Sequence, residues 1–171
     1  LDRQARIKTL SRGMKLRLEM AVALAARPAL LVLDDPTSGL DVPTRYDFLQ
    51  DIIRELADSG TTILFSTHLV HELERIVDHL FILHRGRLIL DEEHEAVKNS
   101  TRRVRLAFQG EPPQALGIDG VLSETREGQR MEIVVYPWSE DKRKKIEELS
   151  PTLLDLEPLT LEDIFRSFVA G

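Results

Sequence analysis

Apolar positions along the chain alternate between helical spacing and short uninterrupted runs, and the changes of pattern divide its first ninety or so residues into alternating helices and strands. From Leu10 to Ala26, Met14, Leu18, Ala21, Val22 and Ala25 recur at helical spacing, Ser11 is a suitable N-cap, and Pro28 ends the run. Ala29 to Leu33 is apolar throughout and predicts a strand. Asp34 to Leu40 is turn chemistry, punctuated by Pro36, Ser38 and Gly39. A second helix is predicted from Pro43 to Ala57, with Leu49, Ile52, Ile53 and Leu56 as its inner stripe and Ser59-Gly60 as its end. Thr61 to Phe65 is another apolar, β-rich run, closing in Ser66, Thr67 and His68. A helix over Leu69 to Val77 and a strand pair, His79 to Leu83 and Arg87 to Leu90 joined at Arg85-Gly86, complete this part. Strands that are apolar on both sides and separated by helices predict an α/β fold with a parallel sheet.

Near Asn99 the character changes. Residues 104 to 108 ("VRLAF") and 131 to 136 ("MEIVVY") read as strands, and Pro112, Pro113, Gly110, Gly117, Gly120 and Gly128 mark loops between them. A charged helix is predicted from Glu140 to Leu149. An amphipathic one begins at Thr160, with Leu161, Ile164, Phe165 and Phe168 on one face. The chain therefore divides into residues 1–98 and a small α+β appendage, residues 99–171.

Composition narrows the classes. At 42% hydrophobic residues the chain can bury a core, and with no cysteine it has neither disulfides nor cysteine-ligated metal. The longest apolar run is broken by Arg27 and Pro28 and is too short to cross a bilayer, so neither a membrane anchor nor a signal peptide is expected. A start at Leu1 rather than Met reads as a fragment. The net charge of −6 disfavours general nucleic-acid binding, yet Arg3, Arg6, Lys8, Arg12, Lys15 and Arg17 crowd the first seventeen residues against Asp2 alone. A basic front on an acidic body points to an anion met locally.

The candidate chemistry sits where the strands end. In open α/β sheets ligands bind at the carboxyl ends of the strands. Asp34 and Asp35 end one strand and His68 follows the next. One carboxylate there can hold Mg²⁺ through water, its neighbour can orient or deprotonate a nucleophile, and an imidazole can contact a transferring phosphoryl group. "LSRGM" (Leu10 to Met14), "LLVLDDP" (Leu30 to Pro36), "SGLD" (Ser38 to Asp41) and "STH" (Ser66 to His68) resemble, in order and spacing, the signature, Walker B, D-loop and H-loop motifs of ATP-binding cassette (ABC) ATPases. The stretch after Gly86, and "LEDIF" (Leu161 to Phe165), resemble the nucleotide-binding subunits of exporters of the ABC-2 type.

The resemblance implies the C-terminal part of a P-loop NTPase sheet with flanking helices, and ATP and Mg²⁺ as cofactors. It implies Asp34 at the metal, Asp35 as catalytic base and His68 at the γ-phosphate. Ser11, Arg12 and Gly13 would face the ATP of the opposite subunit, and Ser38, Gly39 and Asp41 would line the dimer seam. The implied partners are a second ATPase subunit, homo- or heterodimeric, and transmembrane permease subunits, with no nucleic acid. The implied location is cytoplasmic, peripheral on the cell membrane. A helix N-terminus that carries Arg12, Lys15 and Arg17 opposes its own dipole unless an anion is present, which suits the signature role.

Departures from the family pattern are specific. Arg12 and Met14 stand where Gly and Gln are usual, and Asp35 stands where Glu is typical. No glycine falls in a G-x-x-x-x-G-K-[ST] frame, so the chain is expected to be a C-terminal portion lacking the Walker A region and inactive alone. Two other readings stay open: an ABC ATPase of DNA maintenance, and a degenerate or non-catalytic nucleotide-binding module, which Asp35 favours. Among the smaller signals, His68, His71 and Glu72 do not have a zinc-protease spacing and read as a helix start. Lys142 to Lys145 read as a solvated helix face, and Trp138, Phe165 and Phe168 as appendage core.

Overall fold

The computed structural model describes residues 6–74 and 76–170. The chain divides into two compact units, Leu1–Leu69 and Val70–Gly171. The packing boundary thus precedes the change of composition near Asn99, because the strand pair that follows His68 packs with the C-terminal unit.

In the N-terminal unit a short 3₁₀ turn, Ile7–Thr9, leads into α1 (Arg12–Ala25), followed by β1 (Leu30–Asp34), α2 (Val42–Ser59) and β2 (Thr62–Ser66). β1 and β2 pair in parallel, with Leu30 opposite Thr62, Val32 opposite Leu64 and Asp34 opposite Ser66. Local chemistry fixes the helix ends. The Ser11 hydroxyl oxygen accepts the Met14 N–H at 3.2 Å and Asp41 Oδ1 accepts the Thr44 N–H at 2.8 Å, caps worth about 1 kcal/mol each. Gly60 ends α2 at φ 65°, the left-handed conformation that glycine adopts most readily.

The core of this unit forms around Phe48, Leu49 and Ile52 of α2, with Met20 of α1 and Leu31 of β1. Phe48 is 1% exposed, and burying such a side chain contributes roughly 1.5–3 kcal/mol. Phe48 was not on the expected stripe. Leu56, which was, has its side chain outside the described residues, as do Arg3 and the Glu72 side chain. The face of α1 also differs from expectation. Gly13 and Met20 are buried whereas Ala21, Val22 and Ala25 are exposed. α1 is apolar over much of its circumference, so spacing alone did not single out the face that docks.

The helix expected over Leu69 to Val77 is shorter, α3 (Val70–Leu73). Directly after it, Glu74 Oε1 accepts a hydrogen bond from Lys98 Nζ at 2.6 Å, and the chain then turns into β3 (His79–His84) and β4 (Arg87–Glu93). These form an antiparallel hairpin whose turn residues Arg85 and Gly86 both have positive φ, the conformation a two-residue hairpin turn demands.

After α4 (His94–Ser100) come β5 (Arg102–Ala107), β6 (Val121–Glu127), β7 (Arg130–Val135), α5 (Glu140–Glu148), β8 (Leu153–Glu157) and α6 (Leu161–Ala170). The four strands form an antiparallel sheet in the order β6-β7-β5-β8. The two central strands are those the sequence marks. The unexpected ones, β6 and β8, are the edges. Their sequences, "VLSETRE" and "LLDLE", are short of apolar alternation and take strand geometry from their hydrogen-bonded neighbours.

On one sheet face Val104, Leu106, Met131, Ile133 and Val135 pack with Ile146 of α5, joined by Trp138. On the other, Val134 packs with Val97, Leu159, Ile164 and the hairpin residues Ile82 and Leu90, joined by Phe165 and Phe168. Lys142 corrects the expectation of a solvated basic face: it is 8% exposed, and its Nζ donates to the Pro137 carbonyl at 2.7 Å and lies 3.5 Å from Asp119 Oδ1. Gly120 fits beside it because a Cβ there would meet the Tyr136 carbonyl oxygen at 2.2 Å. Among the described residues no helix is long and apolar enough to cross a membrane.

Candidate functional site

The parallel register delivers the acids. Asp34 is the last residue of β1 and lies directly opposite Ser66, the last of β2. The Ser66 hydroxyl donates to Asp34 Oδ1 at 2.5 Å. The next residue leaves the strand sharply. Asp35 has φ 40°, and its N–H reaches both the Ser66 carbonyl, at 3.1 Å, and the Ser66 Oγ, at 2.9 Å. Left-handed geometry is uncommon for a residue with a Cβ, though Asp tolerates it better than most. It aims the Asp35 side chain toward His68, whose Nδ1 lies 3.2 Å from Asp35 Oδ2. The other oxygen, Oδ1, is shielded and has no hydrogen-bond partner among the described residues.

Two tight turns follow. The Ser38 N–H donates to the Asp35 carbonyl at 3.1 Å and the Leu40 N–H to the Thr37 carbonyl at 3.2 Å. Thr37 between them is fully buried, with its hydroxyl unpartnered among the described residues. Gly39 has φ 69°, and a Cβ there would lie 2.8 Å from a guanidinium nitrogen of Arg12, so Arg12 from the start of α1 lies over this loop. Asp41 then caps α2. Its hydrogen bonds to Thr44 hold its carboxyl below the usual value of 3.8. Gly13 is buried against the same helix, where a Cβ would meet Thr44 Cγ2 at 2.4 Å. Any larger residue at 13 pushes the two helix N-termini apart.

The sequence-predicted site residues therefore fall into two groups. Asp34, Asp35 and His68 converge at the carboxyl ends of the paired strands. Ser11, Arg12, Gly13, Ser38, Gly39 and Asp41 lie on the turns and helix starts beside α1 and α2. Ser11 and Asp41 both spend an oxygen on helix capping. Arg17, counted among the cations at the start of α1, lies 3.5 Å from Asp47 Oδ2 and 3.1 Å from Asp51 Oδ2 of α2 and ties the helices together. Sequence reasoning assigned no role to Ser66 or Thr37. The signal for Ser66 was available in the two motifs, since aligning the ends of "LLVLD" and "TILFS" in parallel places it opposite Asp34.

Among the described residues no group of three or more His, Cys, Asp or Glu side chains can hold a metal by itself. Mg²⁺ keeps several waters and is held by one or two carboxylates together with phosphates. Asp34 at the strand end and the unpartnered Asp35 Oδ1 beside it are a donor set of that kind.

The parallel β1–β2 pair, connected through α2, places the N-terminal unit in the α/β class. The chain is similar in sequence to ATP-binding proteins of ABC transporters. It is 29% identical to the ABC transporter ATP-binding protein YtrB of Bacillus subtilis over 96% of its own length and 56% of that protein. It is 34% identical to the Nod factor export ATP-binding protein I of Mesorhizobium japonicum over 94% of its length and 48% of that protein. A solved structure of cbiO1 from Clostridium perfringens, part of the ABC transporter complex cbiONQ, matches with TM-score 0.49 and 31% identity, over 53% of this chain and 36% of that one. Residues 2–74 match a family described as "AAA domain, putative AbiEii toxin, Type IV TA system". The chain spans about half the length of the curated relatives it matches.

Proposed function

We propose that this chain is the signature-to-H-loop part, with its C-terminal appendage, of an ATP-binding subunit that hydrolyses Mg-ATP to drive a separate membrane permease. The observation that carries the reading is the convergence of Asp34, Asp35 and His68 at the ends of β1 and β2, with one serine bonded to both acids and His68 beside Asp35. Residues 1–98 supply the cassette motifs and 99–171 the accessory domain. The subunit works at the cytoplasmic face of the membrane as a head-to-tail dimer with a like or unlike subunit, and no nucleic acid takes part.

The geometry divides the labour. Mg²⁺, when bound, neutralises charge on the β- and γ-phosphate oxygens. Asp34 would hold Mg²⁺ through its waters, with lone pairs beyond the one that Ser66 occupies. Asp35 orients a water against the γ-phosphorus and takes its proton as the P–O bond to ADP breaks. His68, 3.2 Å from Asp35 Oδ2, holds that carboxylate in line and presents the rest of its ring to the phosphoryl oxygens. Ser11, Arg12 and Gly13 offer a hydroxyl, a cation and a helix N-terminus to the nucleotide of the opposing subunit, while Ser38, Gly39 and Asp41 face the seam.

The short base favours a second reading, a nucleotide-binding module with a degenerate site, since Asp35 reaches one methylene less far than Glu. Steady-state ATPase activity of this chain beside the full-length protein, with and without Mg²⁺, tests the first reading: activity in the full-length protein only, and only with Mg²⁺. Activity of the isolated chain overturns it. Asp35→Glu in the full-length protein separates the two readings, because a rise of about 100-fold marks a degenerate site and no change marks a site adapted to Asp.

A further inference from the structure

We infer that Ser66 is the positioning residue of the site, setting Asp34 and Asp35 together through one hydroxyl. The inference rests on the hydrolytic reading above and adds to it a residue that neither acts on phosphate nor binds metal. Its hydroxyl has one proton, and that proton goes to Asp34 Oδ1 at 2.5 Å. A lone pair on the same oxygen accepts the Asp35 N–H at 2.9 Å, and the Ser66 carbonyl accepts that N–H as well, at 3.1 Å. One side chain thus touches both acids, from a strand position that the parallel register puts directly opposite Asp34.

Asp35 needs such support. Its φ of 40° is a strained region for a residue with a Cβ, and strained backbone persists only where its surroundings over-determine it. Its side chain is also short. A glutamate base can absorb a backbone shift through an extra torsion, whereas an aspartate carries its carboxylate wherever the backbone goes. Fixing the Asp35 N–H therefore fixes the base against His68, and fixing Asp34 Oδ1 fixes the face that acid turns to a hydrated metal. Outer partners of this kind are worth about 10- to 100-fold in activity or metal affinity.

The test uses the full-length protein with Ser66→Ala, which deletes both hydroxyl bonds, and Ser66→Thr, which keeps them on a side chain that suits a strand. Asp35→Asn serves as the control for the hydrolytic reading. Ser66→Ala is expected to lower kcat by about 10- to 100-fold and to raise the Mg²⁺ concentration for half-maximal activity several-fold, with the KM for ATP nearly constant. Ser66→Thr is expected to restore both. Amide hydrogen exchange in nucleotide-free protein supplies a readout apart from catalysis: the Asp35 amide should exchange at least about tenfold faster in Ser66→Ala than in wild type or Ser66→Thr.

Wild-type kinetics and wild-type exchange at Asp35 in Ser66→Ala, with Asp35→Asn inactive, overturn the role of Ser66 and leave the hydrolytic reading standing. A wild-type protein without Mg²⁺-dependent ATPase activity, or an Asp35→Asn variant as active as wild type, overturns the hydrolytic reading. The exchange measurement then decides by itself whether Ser66 holds Asp35.

Discussion

The two units solve the same problem, covering an apolar sheet, to different degrees. In the C-terminal unit Val104, Ile133, Val135, Ile146, Val97 and Ile164 are wholly shielded, and helices and a hairpin pack on both faces of the four-stranded sheet. In the N-terminal unit one face of the β1–β2 pair is apolar and open: Leu30, Val32 and Leu64 are 54%, 60% and 46% exposed, on the side that also carries Asp34 and Ser66. Stability is therefore concentrated in the first and chemistry in the second. Substitutions should separate along that line.

The largest effect is expected on activity, from the strand ends. Asp35→Asn in the full-length protein removes the proton acceptor and should lower the ATPase rate at least about 100-fold, with little change in melting temperature. A large loss of stability instead would mean that Asp35 is chiefly a turn residue.

Next come stability losses in the closed core. Ile133→Ala or Ile164→Ala should cost about 2–5 kcal/mol. Trp138, the single tryptophan, packs against the core of the C-terminal unit, so its fluorescence in a urea titration follows that unit alone. By contrast Val32→Ser or Leu64→Ser on the open face of this chain should change stability by no more than about 0.5 kcal/mol, read by far-ultraviolet circular dichroism in urea. A cost comparable to that of Ile133→Ala would break the comparison.

The smallest effect is electrostatic. Glu74 is held below its usual carboxyl value of 4.5, chiefly by the hydrogen bond from Lys98. A depressed folded value contributes stability that is present above 4.5 and is lost as pH falls through the lower folded value. Glu74→Gln should therefore be less stable at pH 7 by up to about 1 kcal/mol, and the gap to wild type should close in acid. Melting temperatures from pH 7 to pH 3 measure it.

Much of this was legible in the sequence, because the physics involved is local. Helical spacing, Ser11 ahead of the first helix, Gly60 behind the second, and the apolar runs ending in Asp34 and Ser66 each act within a few residues, and they fixed the order of elements and motifs. What lay beyond local reach came from pairing and packing. The edge strands β6 and β8 owe their geometry to β7 and β5 rather than to their own pattern. Which side of α1 docks was decided by α2, through Gly13 against Thr44 and Arg17 against Asp47 and Asp51. Lys142 is buried because Pro137 and Asp119 offer it partners. Ser66 stands 32 residues from Asp34 along the chain: the ends of the two apolar runs hint at the pairing, but only the parallel register formed in the folded sheet brought its hydroxyl to 2.5 Å from that carboxylate.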